Sequence, residues 1–337
     1  MHEAQLYSQG NDGEVVCELC AHHCRIKEGH RGICGVRENR NGVLFSLVYG
    51  WLVAEHVDPV EKKPLYHFLP GSRSYSVSTV GCNFHCRHCQ NFSISQPGKF
   101  AAEAPPGIQR SPEYVVAEAV RSGCQSISYT YVEPTIFFEF AYDCSVLARK
   151  QGLKNVFVSN GYMSEQATRK LVPVLDAINI DIKAFTDDFY RKICGAHLQP
   201  VLDTVRLMHE LGVWVEITTL LIPGLNDSDA ELTEIAEFIV SLDPAIPWHV
   251  TAFYPTYKLT DRPATSVHSL QKARDIGLAA GLKFVYEGNV PGSGGENSIC
   301  PSCQTRLITR FGFTIEEKRL VHGCCPQCGA QIAGVWE

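Results

Sequence analysis

The stretch GCNFHCRHCQN places Cys82, Cys86 and Cys89 within eight positions. Four thiolates would complete a tetrahedral zinc site or bind every iron of a 4Fe–4S cluster. Three thiolates can bind three irons of such a cluster and leave the fourth iron open, and an open coordination position distinguishes a catalytic metal site from a structural one. The spacing also fits a zinc site completed by His85 or His88. The loop therefore predicts a catalytic cluster or, alternatively, a zinc site.

A second group of four cysteines lies in the glycine-rich segment CELCAHHCRIKEGHRGICGVR. Its members are Cys17, Cys20, Cys24 and Cys34. Glycine-rich sequence of this kind favours a loop wrapped around an ion over a helix. Four cysteines predict a closed, structural site, and the ligand type favours zinc over a second iron–sulfur cluster. His22 and His23 compete for one ligand position, so zinc and a second cluster both remain candidate occupants.

A third group lies near the C-terminus, in the two motifs CPSC and CPQC. Its members are Cys300, Cys303, Cys325 and Cys328. The residues between the motifs are typical of a β-hairpin, and paired motifs of this kind predict a zinc ribbon. Cys324 is an alternative ligand, although only Cys325 keeps the two-residue spacing to Cys328. Since so short a segment has little core of its own, a structural zinc would supply its folding free energy.

The composition excludes several classes of protein. The 337 residues carry a formal net charge of −6, which argues against a nucleic-acid-binding surface. Fifteen cysteines, an odd number found mostly in tight groups, indicate metal ligands in a reducing compartment and not a disulfide framework. The sequence shows no run of 18 apolar residues and no apolar signal segment. We therefore expect a cytoplasmic protein that binds neither membranes nor nucleic acid.

Between the outer cysteine groups, short apolar runs alternate with helical patterns. Strands are predicted at 75–80, 126–132, 155–160, 177–183, 213–222, 248–254 and 283–288. Helices are predicted at 112–122, 136–151, 200–211, 228–241 and 266–280. This alternation is typical of βαβ units and a parallel sheet. Six or seven such units predict an α/β barrel, complete or partial, with its active site at the C-terminal ends of the strands.

Polar residues stand where these predicted strands end. Glu133 follows one strand and Asn160 ends the next, while Asp181 and Lys183 close a third. His249 lies within the strand predicted at 248–254. Each of these residues has an ordinary structural explanation, such as a buried ion pair or a turn. Their convergence downstream of the three-cysteine loop nevertheless predicts an active site.

A C-x3-C-x2-C loop after the first strand of an α/β barrel resembles the signature of the radical S-adenosylmethionine (SAM) superfamily. The resemblance implies a partial (β/α)6-type barrel over 71–290. An N-terminal Cys-rich segment and lead-in would span 1–70, and a zinc-ribbon-like domain 291–337. It also implies that SAM binds the open iron of a 4Fe–4S cluster. One electron would then cleave SAM to methionine and a 5′-deoxyadenosyl radical, which abstracts a hydrogen atom in an oxygen-sensitive oxidoreductase-type reaction.

The resemblance also implies the SAM-binding residues. His88, before the third cysteine, would lie against the adenine. Glu133 in TYVEPT would accept hydrogen bonds from the SAM ammonium, although Tyr131 and Val132 replace the family's two glycines. Ser159 and Asn160 in SNGY would hold the ribose.

Two further motifs resemble those of pyruvate formate-lyase activating enzymes. In DIK, Lys183 would pair with the SAM carboxylate and Asp181 would help to hold a nearby cation. In PWH, His249 would lie near the adenosyl group. A one-electron reductant of the flavodoxin or ferredoxin type is implied as a partner.

The chain as a whole resembles the radical SAM protein of the AMMECR–Memo–radical-SAM system. This resemblance rests on CELCAHHCRIKEGHRGICGVREN, GCNFHCRHCQNFSISQ, YTYVEPTIFFE, INIDIKAF, LLIPGLND, FYPTYKL and VYEGNVPG. It implies cooperation with an AMMECR-domain protein and a Memo-domain protein. Two alternatives remain: an activase that abstracts hydrogen from a glycine of a glycyl-radical enzyme, and a non-catalytic, zinc-organised binding protein.

Overall fold

The computed structural model describes residues 1–98 and 100–337. Its strands are β1 (His2–Glu3), β2 (Tyr7–Gln9), β3 (Val15–Cys17), β4 (Arg25–Ile26), β5 (Arg37–Arg40), β6 (Val43–Ser46), β7 (Trp51–Leu52), β8 (Ala54–Pro59), β9 (Arg73–Ser78), β10 (Ile108–Gln109), β11 (Ser126–Tyr129), β12 (Lys154–Ser159), β13 (Ala177–Asp181), β14 (Trp214–Leu221), β15 (Trp248–Ala252), β16 (Val285–Gly288), β17 (Ser298–Ile299), β18 (Arg306–Phe311) and β19 (Thr314–Lys318).

The α-helices are α1 (Phe92–Ser95), α2 (Pro112–Arg121), α3 (Phe138–Lys150), α4 (Glu165–Leu171), α5 (Asp187–Phe189), α6 (Gln199–Glu210), α7 (Asp229–Leu242) and α8 (Val267–Ala279). Short 3₁₀ turns lie at Val60–Lys62, Pro134–Phe137 and Val172–Val174, and a π-helical turn at Tyr190–Cys194. Serine side chains cap several helices, for example Ser111, which accepts a hydrogen bond from the amide of Tyr114. The helix α4 has no counterpart among the predicted elements, because seven residues contain too few turns for a clear periodicity.

The central sheet follows the chain order and is open. Its strands lie in the order β16-β15-β14-β13-β12-β11-β9-β8, and all neighbouring pairs are parallel except β8 and β9. The edge strands β8 and β16 pair with no partner on their outer side within the described residues. The predicted partial α/β barrel is thus confirmed, and its antiparallel edge strand comes from the lead-in that precedes residue 71.

The segment that follows β8 runs across the barrel near the N-terminal ends of the strands. Asn179 on β13 donates a side-chain hydrogen bond to the carbonyl of Pro64. Glu216 on β14 accepts hydrogen bonds from the backbone amides of Tyr66 and His67. Because these partners are buried side chains of two central strands, the segment forms a fixed floor beneath the barrel interior.

The C-terminal hairpin sheet, β17-β18-β19, packs against both this floor and the sheet edge. Arg310 on β18 is 3 % exposed and donates to the carbonyl of Tyr66 and the hydroxyl of Ser298. Its guanidinium carbon lies 4.2 Å from the centre of the Tyr66 ring, and its Nε lies 3.8 Å from a carboxylate oxygen of Glu61. A buried charge is tolerated only with such compensation, so Arg310 joins the hairpin to the barrel.

Two small N-terminal sheets, β1-β6-β5 and β2-β3-β4, precede the barrel. Arg37 on β5 forms a buried ion pair with Glu139 on α3, with a distance of 2.9 Å between Nη2 and Oε1. This pair fixes the cysteine-rich segment to the outer layer of the barrel. Among the described helices, none combines the length and the apolarity that a membrane span requires.

The first prediction concerns Arg310. In Arg310→Met, Glu61 would remain buried beside an apolar side chain, so we expect unfolding free energy to fall by about 3–5 kcal/mol. Arg319→Met, on the same hairpin sheet but half exposed, should change it by no more than about 0.5 kcal/mol. Urea-induced unfolding measures both. Equal losses in the two variants would show that Arg310 does not join the units.

The second prediction concerns buried His67. Its ring contacts the carbonyl of Ala333 and the hydroxyl of Tyr286, and burial lowers its pKa to about 4. In the unfolded chain a histidine titrates near pH 6.5. Between these values the unfolded chain binds a proton that folded His67 does not, so stability falls as the pH falls.

The loss should approach about 3 kcal/mol between pH 6.5 and 4, at 1.36 kcal/mol per pKa unit. Urea unfolding at several pH values should show a shallower dependence in His67→Gln. A control variant, His268→Gln, removes an exposed histidine and should keep the wild-type slope. An unchanged slope in His67→Gln would contradict the assignment.

Candidate active site

A cavity of about 540 Å³ lies at the C-terminal ends of the strands. The predicted site residues that line it are Cys82, Cys86, His88, Cys89, Glu133, Ser159, Asn160, Asp181 and Lys183. These residues come from the C-terminal ends of three strands, β11, β12 and β13, and from the loop after β9. Parallel strands bring their C-terminal ends to one edge of the sheet, which explains why residues a hundred positions apart meet here.

The three-cysteine loop is fixed by backbone hydrogen bonds to the π-helical turn. The amides of His85 and Arg87 donate to the carbonyls of Cys194 and Ile193, at 2.8 and 2.9 Å. Gly81 precedes the loop with a φ of +98°, and a Cβ there would lie 2.6 Å from a methyl carbon of Val36. Glycine is therefore required at the start of the loop.

The thiols of this loop are protected from water. Cys82 and Cys86 are each 8 % exposed, and burial raises the pKa of Cys82. Burial also raises the pKa of Cys89, which is partly accessible. Without a cation these thiols are neutral, whereas bound iron stabilises the thiolates. The loop thus suits metal ligands better than free nucleophiles.

Glu133 is held by four donors from two strand ends. Its Oε1 accepts hydrogen bonds from the amide and hydroxyl of Thr135 and from the Ser159 hydroxyl, at 3.1, 2.5 and 2.9 Å. Its Oε2 accepts one from the amide of Asn160 at 2.6 Å. Burial raises the carboxyl pKa, and these donors oppose that effect by stabilising the anion. The fixed carboxylate faces the cavity, where it can accept hydrogen bonds from an ammonium group.

Tyr131 stands where a glycine is usual, and it adopts a conformation that suits glycine. Its φ is +66°, and its carbonyl accepts a hydrogen bond of 2.7 Å from the side-chain amide of Asn91. The backbone before Glu133 therefore makes a left-handed turn that Asn91 anchors. The phenol donates to Asp58, which also forms an ion pair of 2.6 Å with buried Lys63. A non-glycine residue in this region is strained, and such strain is common at functional sites.

Lys183 and Asp181 form an ion pair on the opposite side of the cavity. The distance between Nζ of Lys183 and Oδ2 of Asp181 is 2.8 Å. Burial alone would lower the pKa of Lys183, but the combined effects of Asp181, Cys86 and Cys194 outweigh burial and raise the pKa. Lys183 is thus a fixed cation that can bind a carboxylate.

The two predicted histidines lie at different depths. His88 lines the cavity, its Nδ1 has no hydrogen-bond partner among the described residues, and burial lowers its pKa to about 3. A neutral imidazole is suited to stacking against an adenine. His249 does not reach the cavity: its Nε2 lies 2.7 Å from Oε2 of Glu216, below Thr251, which lines the cavity instead. His249 is thus separated from the cavity, and its position near the adenosyl group stays a prediction.

The cavity is also lined by residues that the motifs do not predict. Lys62 and Lys63 line it from the floor segment, Asn289 from the end of β16, and Phe313 from the C-terminal hairpin. A pair of lysines before a proline gives no specific signal, because charged pairs are common in loops. Phe313 follows the barrel by 25 residues and shows no periodic pattern that would place it at the site.

The C-terminal cysteines have the geometry of a tetrahedral ion site. The sulfurs of Cys300 and Cys328 lie 3.7 Å apart, and those of Cys303 and Cys325 lie 3.6 Å apart. A Zn–S bond of about 2.3 Å in a tetrahedron gives a sulfur separation of about 3.8 Å. Cys324 lies outside this group, so the structure favours Cys325 as the fourth member.

The third prediction compares two substitutions of Tyr131. Tyr131→Ala and Tyr131→Gly both remove the phenol and its bond to Asp58, but only glycine adopts a φ of +66° without strain. We expect Tyr131→Gly to be more stable than Tyr131→Ala by about 1 kcal/mol, the cost of a left-handed non-glycine residue. Thermal unfolding of the two variants measures the difference. If alanine is equal or better, the left-handed turn is not present in solution.

Comparison with known proteins places these features in a family. The family model described as the radical SAM superfamily matches residues 76–239, which include the three-cysteine loop, Glu133 and Lys183. An uncharacterized protein of Methanocaldococcus jannaschii is 46% identical over 340 residues, covering 98% of this chain and 99% of that protein. The pyruvate formate-lyase-activating enzyme of Streptococcus mutans is 25% identical over 184 residues, covering 51% of this chain and 68% of the enzyme.

Among solved structures, a radical SAM methyltransferase from Sphaerobacter thermophilus is similar in fold. The TM-score is 0.52 at 17% sequence identity, over 66% of this chain and 68% of the methyltransferase. At this identity the likeness concerns the fold alone. The family match, which includes the cysteine loop at the end of β9, shows that the chain belongs to the radical SAM superfamily and is a radical SAM enzyme.

Proposed function

We propose that this enzyme binds SAM in the 540 Å³ cavity and uses it to abstract a hydrogen atom from a substrate bound in the same cavity. The observation that supports this most is the shared position of the three thiols, the Glu133 carboxylate and the Lys183 ammonium. A 4Fe–4S cluster on Cys82, Cys86 and Cys89, when bound, supplies the electron that cleaves SAM. The protein contributes positioning and exclusion of water.

The charges of the residues around the cavity are complementary to those of SAM, which supports the following assignments. Glu133 would accept hydrogen bonds from the SAM ammonium, because its Oε2 accepts only one hydrogen bond within the protein and keeps a free lone pair. Lys183 would bind the SAM carboxylate, with Asp181 orienting its ammonium. Ser159 and Asn160 would hold the ribose and His88 would lie against the adenine. His249 would act only indirectly, by supporting Glu216 beneath the cavity.

The remaining cavity wall is suited to the substrate. Lys62, Lys63, Asn289 and Phe313 also line the cavity and have no proposed SAM contact; both lysines form ion pairs with Asp58, and Phe313 adds an aromatic ring. The hairpin that supplies Phe313 belongs to a C-terminal domain over 291–337, for which we propose a structural zinc on Cys300, Cys303, Cys325 and Cys328. The N-terminal segment over 1–70 and the barrel over 71–290 complete the proposed division.

The partners follow from the resemblance of the whole chain. We propose that a flavodoxin or ferredoxin in the cytoplasm supplies the electron and that the substrate is handled together with an AMMECR-domain and a Memo-domain protein. A glycyl-radical-enzyme activase is the second candidate, because an activating enzyme of Streptococcus mutans matches about half of this chain. Phe313 at the cavity argues against it, because a hairpin there leaves less room for a protein loop.

The fourth prediction tests the reaction itself. Anaerobically reconstituted protein with dithionite should form 5′-deoxyadenosine from SAM, and Cys86→Ala should abolish this because one cluster ligand is lost. Cys324→Ala, which changes a cysteine outside the proposed metal sites, should retain activity. Glu133→Gln should keep the cluster but weaken SAM binding about 10- to 100-fold, the effect of losing a charge-assisted hydrogen bond.

The readouts are chromatographic detection of 5′-deoxyadenosine and equilibrium dialysis with SAM. A fully loaded cluster that yields no 5′-deoxyadenosine, even with substrate extracts and partners present, would contradict the proposal. Protein that binds zinc alone, with no iron at Cys82, Cys86 and Cys89, would support the zinc-organised binding protein instead.

A further inference from the structure

The four N-terminal cysteines surround a small cavity of their own. It is lined by Cys17, Cys20, Cys24 and Cys34 together with apolar Leu19, Ile26 and Ile136. Cys17 ends β3, and Gly32 packs against the sulfur of Cys24, where an added Cβ would lie at 3.6 Å. The thiols thus converge on an interior space shielded from solvent by aliphatic side chains. Four convergent thiols predict a bound metal centre.

The sulfur spacing distinguishes this centre from the C-terminal one. Within residues 1–98 and 100–337, only the C-terminal four cysteines bring all their ligand atoms within 4.8 Å of one another. The N-terminal sulfurs are more widely separated, as are those of Cys82, Cys86 and Cys89. A single zinc ion requires sulfurs about 3.8 Å apart. A cluster binds each thiolate through a different iron, so the cysteine sulfurs around it lie farther apart than those around a single ion.

Two buried nitrogen donors in the cavity lining also favour a cluster. Arg37 lines it and is 1 % exposed, and two of its nitrogens bond to Glu139 and to the carbonyl of Gln5. Its Nε has no hydrogen-bond partner in the described structure. The side-chain nitrogen of Asn83, which also lines the cavity, is likewise buried without a partner. Hydrogen bonds to cluster sulfurs are a common way to tune such centres, and these two residues supply unpartnered donors in the cavity lining.

The cavity shares a wall with the catalytic loop. Asn83 directly follows Cys82, and its carbonyl lies 2.7 Å from Nε2 of His22 in the N-terminal group. Asn160, which lines the active-site cavity, donates to Oδ1 of the same Asn83 at 3.3 Å and contacts the sulfur of Cys82 at 3.6 Å. A single residue therefore separates the two cysteine sites.

We propose that Cys17, Cys20, Cys24 and Cys34 bind an auxiliary 4Fe–4S cluster that lies on the electron path to the Cys82–Cys86–Cys89 site. The sequence favoured zinc on ligand type, and the sulfur spacing reverses that preference. One electron from reduced flavodoxin or ferredoxin would enter here and leave toward the catalytic loop, so that the site returns to its starting oxidation state. The electron path rests on the proposed function, whereas the identity of the metal does not.

The fifth prediction separates the sites by mutation. A variant with Cys82→Ala, Cys86→Ala and Cys89→Ala, reconstituted anaerobically with ferrous iron and sulfide, should bind about four irons and four sulfides per chain. It should also hold about one zinc, at the C-terminal site. Dithionite should produce an electron paramagnetic resonance signal. Adding both Cys20→Ala and Cys34→Ala, which leaves only two thiols at the N-terminal site, should remove the iron and the signal, whereas adding Cys303→Ala should remove only the zinc.

The wild-type protein provides a measurement that does not depend on a variant's folding. It should bind about eight irons and one zinc per chain. Two zincs and about four irons would overturn the proposal. When both centres are reduced, the wild-type spectrum should show spin–spin broadening that is absent from the single-site variants, and additive spectra would overturn the electron path. A cluster at Cys20 without SAM cleavage would leave this assignment standing while contradicting the proposed function.

Discussion

The central sheet is open, and the positions of the floor segment and the C-terminal hairpin sheet depend on this. The edge strands β8 and β16 would expose unpaired backbone groups and the barrel interior to water. The floor segment after β8 and the C-terminal hairpin sheet meet at this open side, where buried Arg310 compensates Glu61 and stacks on Tyr66. The outer parts of the chain therefore complete the barrel and are not independent attachments.

Inside the barrel, charged groups are buried in fixed pairs or networks. Glu133 has four donors, Lys183 has Asp181, and Glu216 accepts from two backbone amides and contacts His249. Burying a carboxylate or an ammonium without such partners costs several kcal/mol. Preorganised charges of this kind can bind a zwitterionic ligand without rearrangement, because the cost of orienting them is met during folding.

The sequence was sufficient for the fold and for grouping most of the candidate site residues around one cavity, because both depend on local patterns. Alternating strands and helices predicted the parallel sheet, and polar residues at strand ends predicted the cavity. The depth at which a residue lies within the barrel was less predictable. His249 and Thr251 both lie on β15, but only Thr251 lines the cavity. The left-handed φ of Tyr131 could not be predicted either, because tyrosine does not favour that conformation. Phe313 depends on a long-range contact that no local pattern encodes.

Phe313 has a consequence for the order in which the enzyme becomes functional. The barrel residues leave the ribosome before the hairpin that carries Phe313, and domains generally fold in the order of synthesis. Until the hairpin has folded around its four cysteines, the cavity lacks one wall. The last part of the chain to be synthesised therefore completes the wall of a cavity whose other residues come from the barrel.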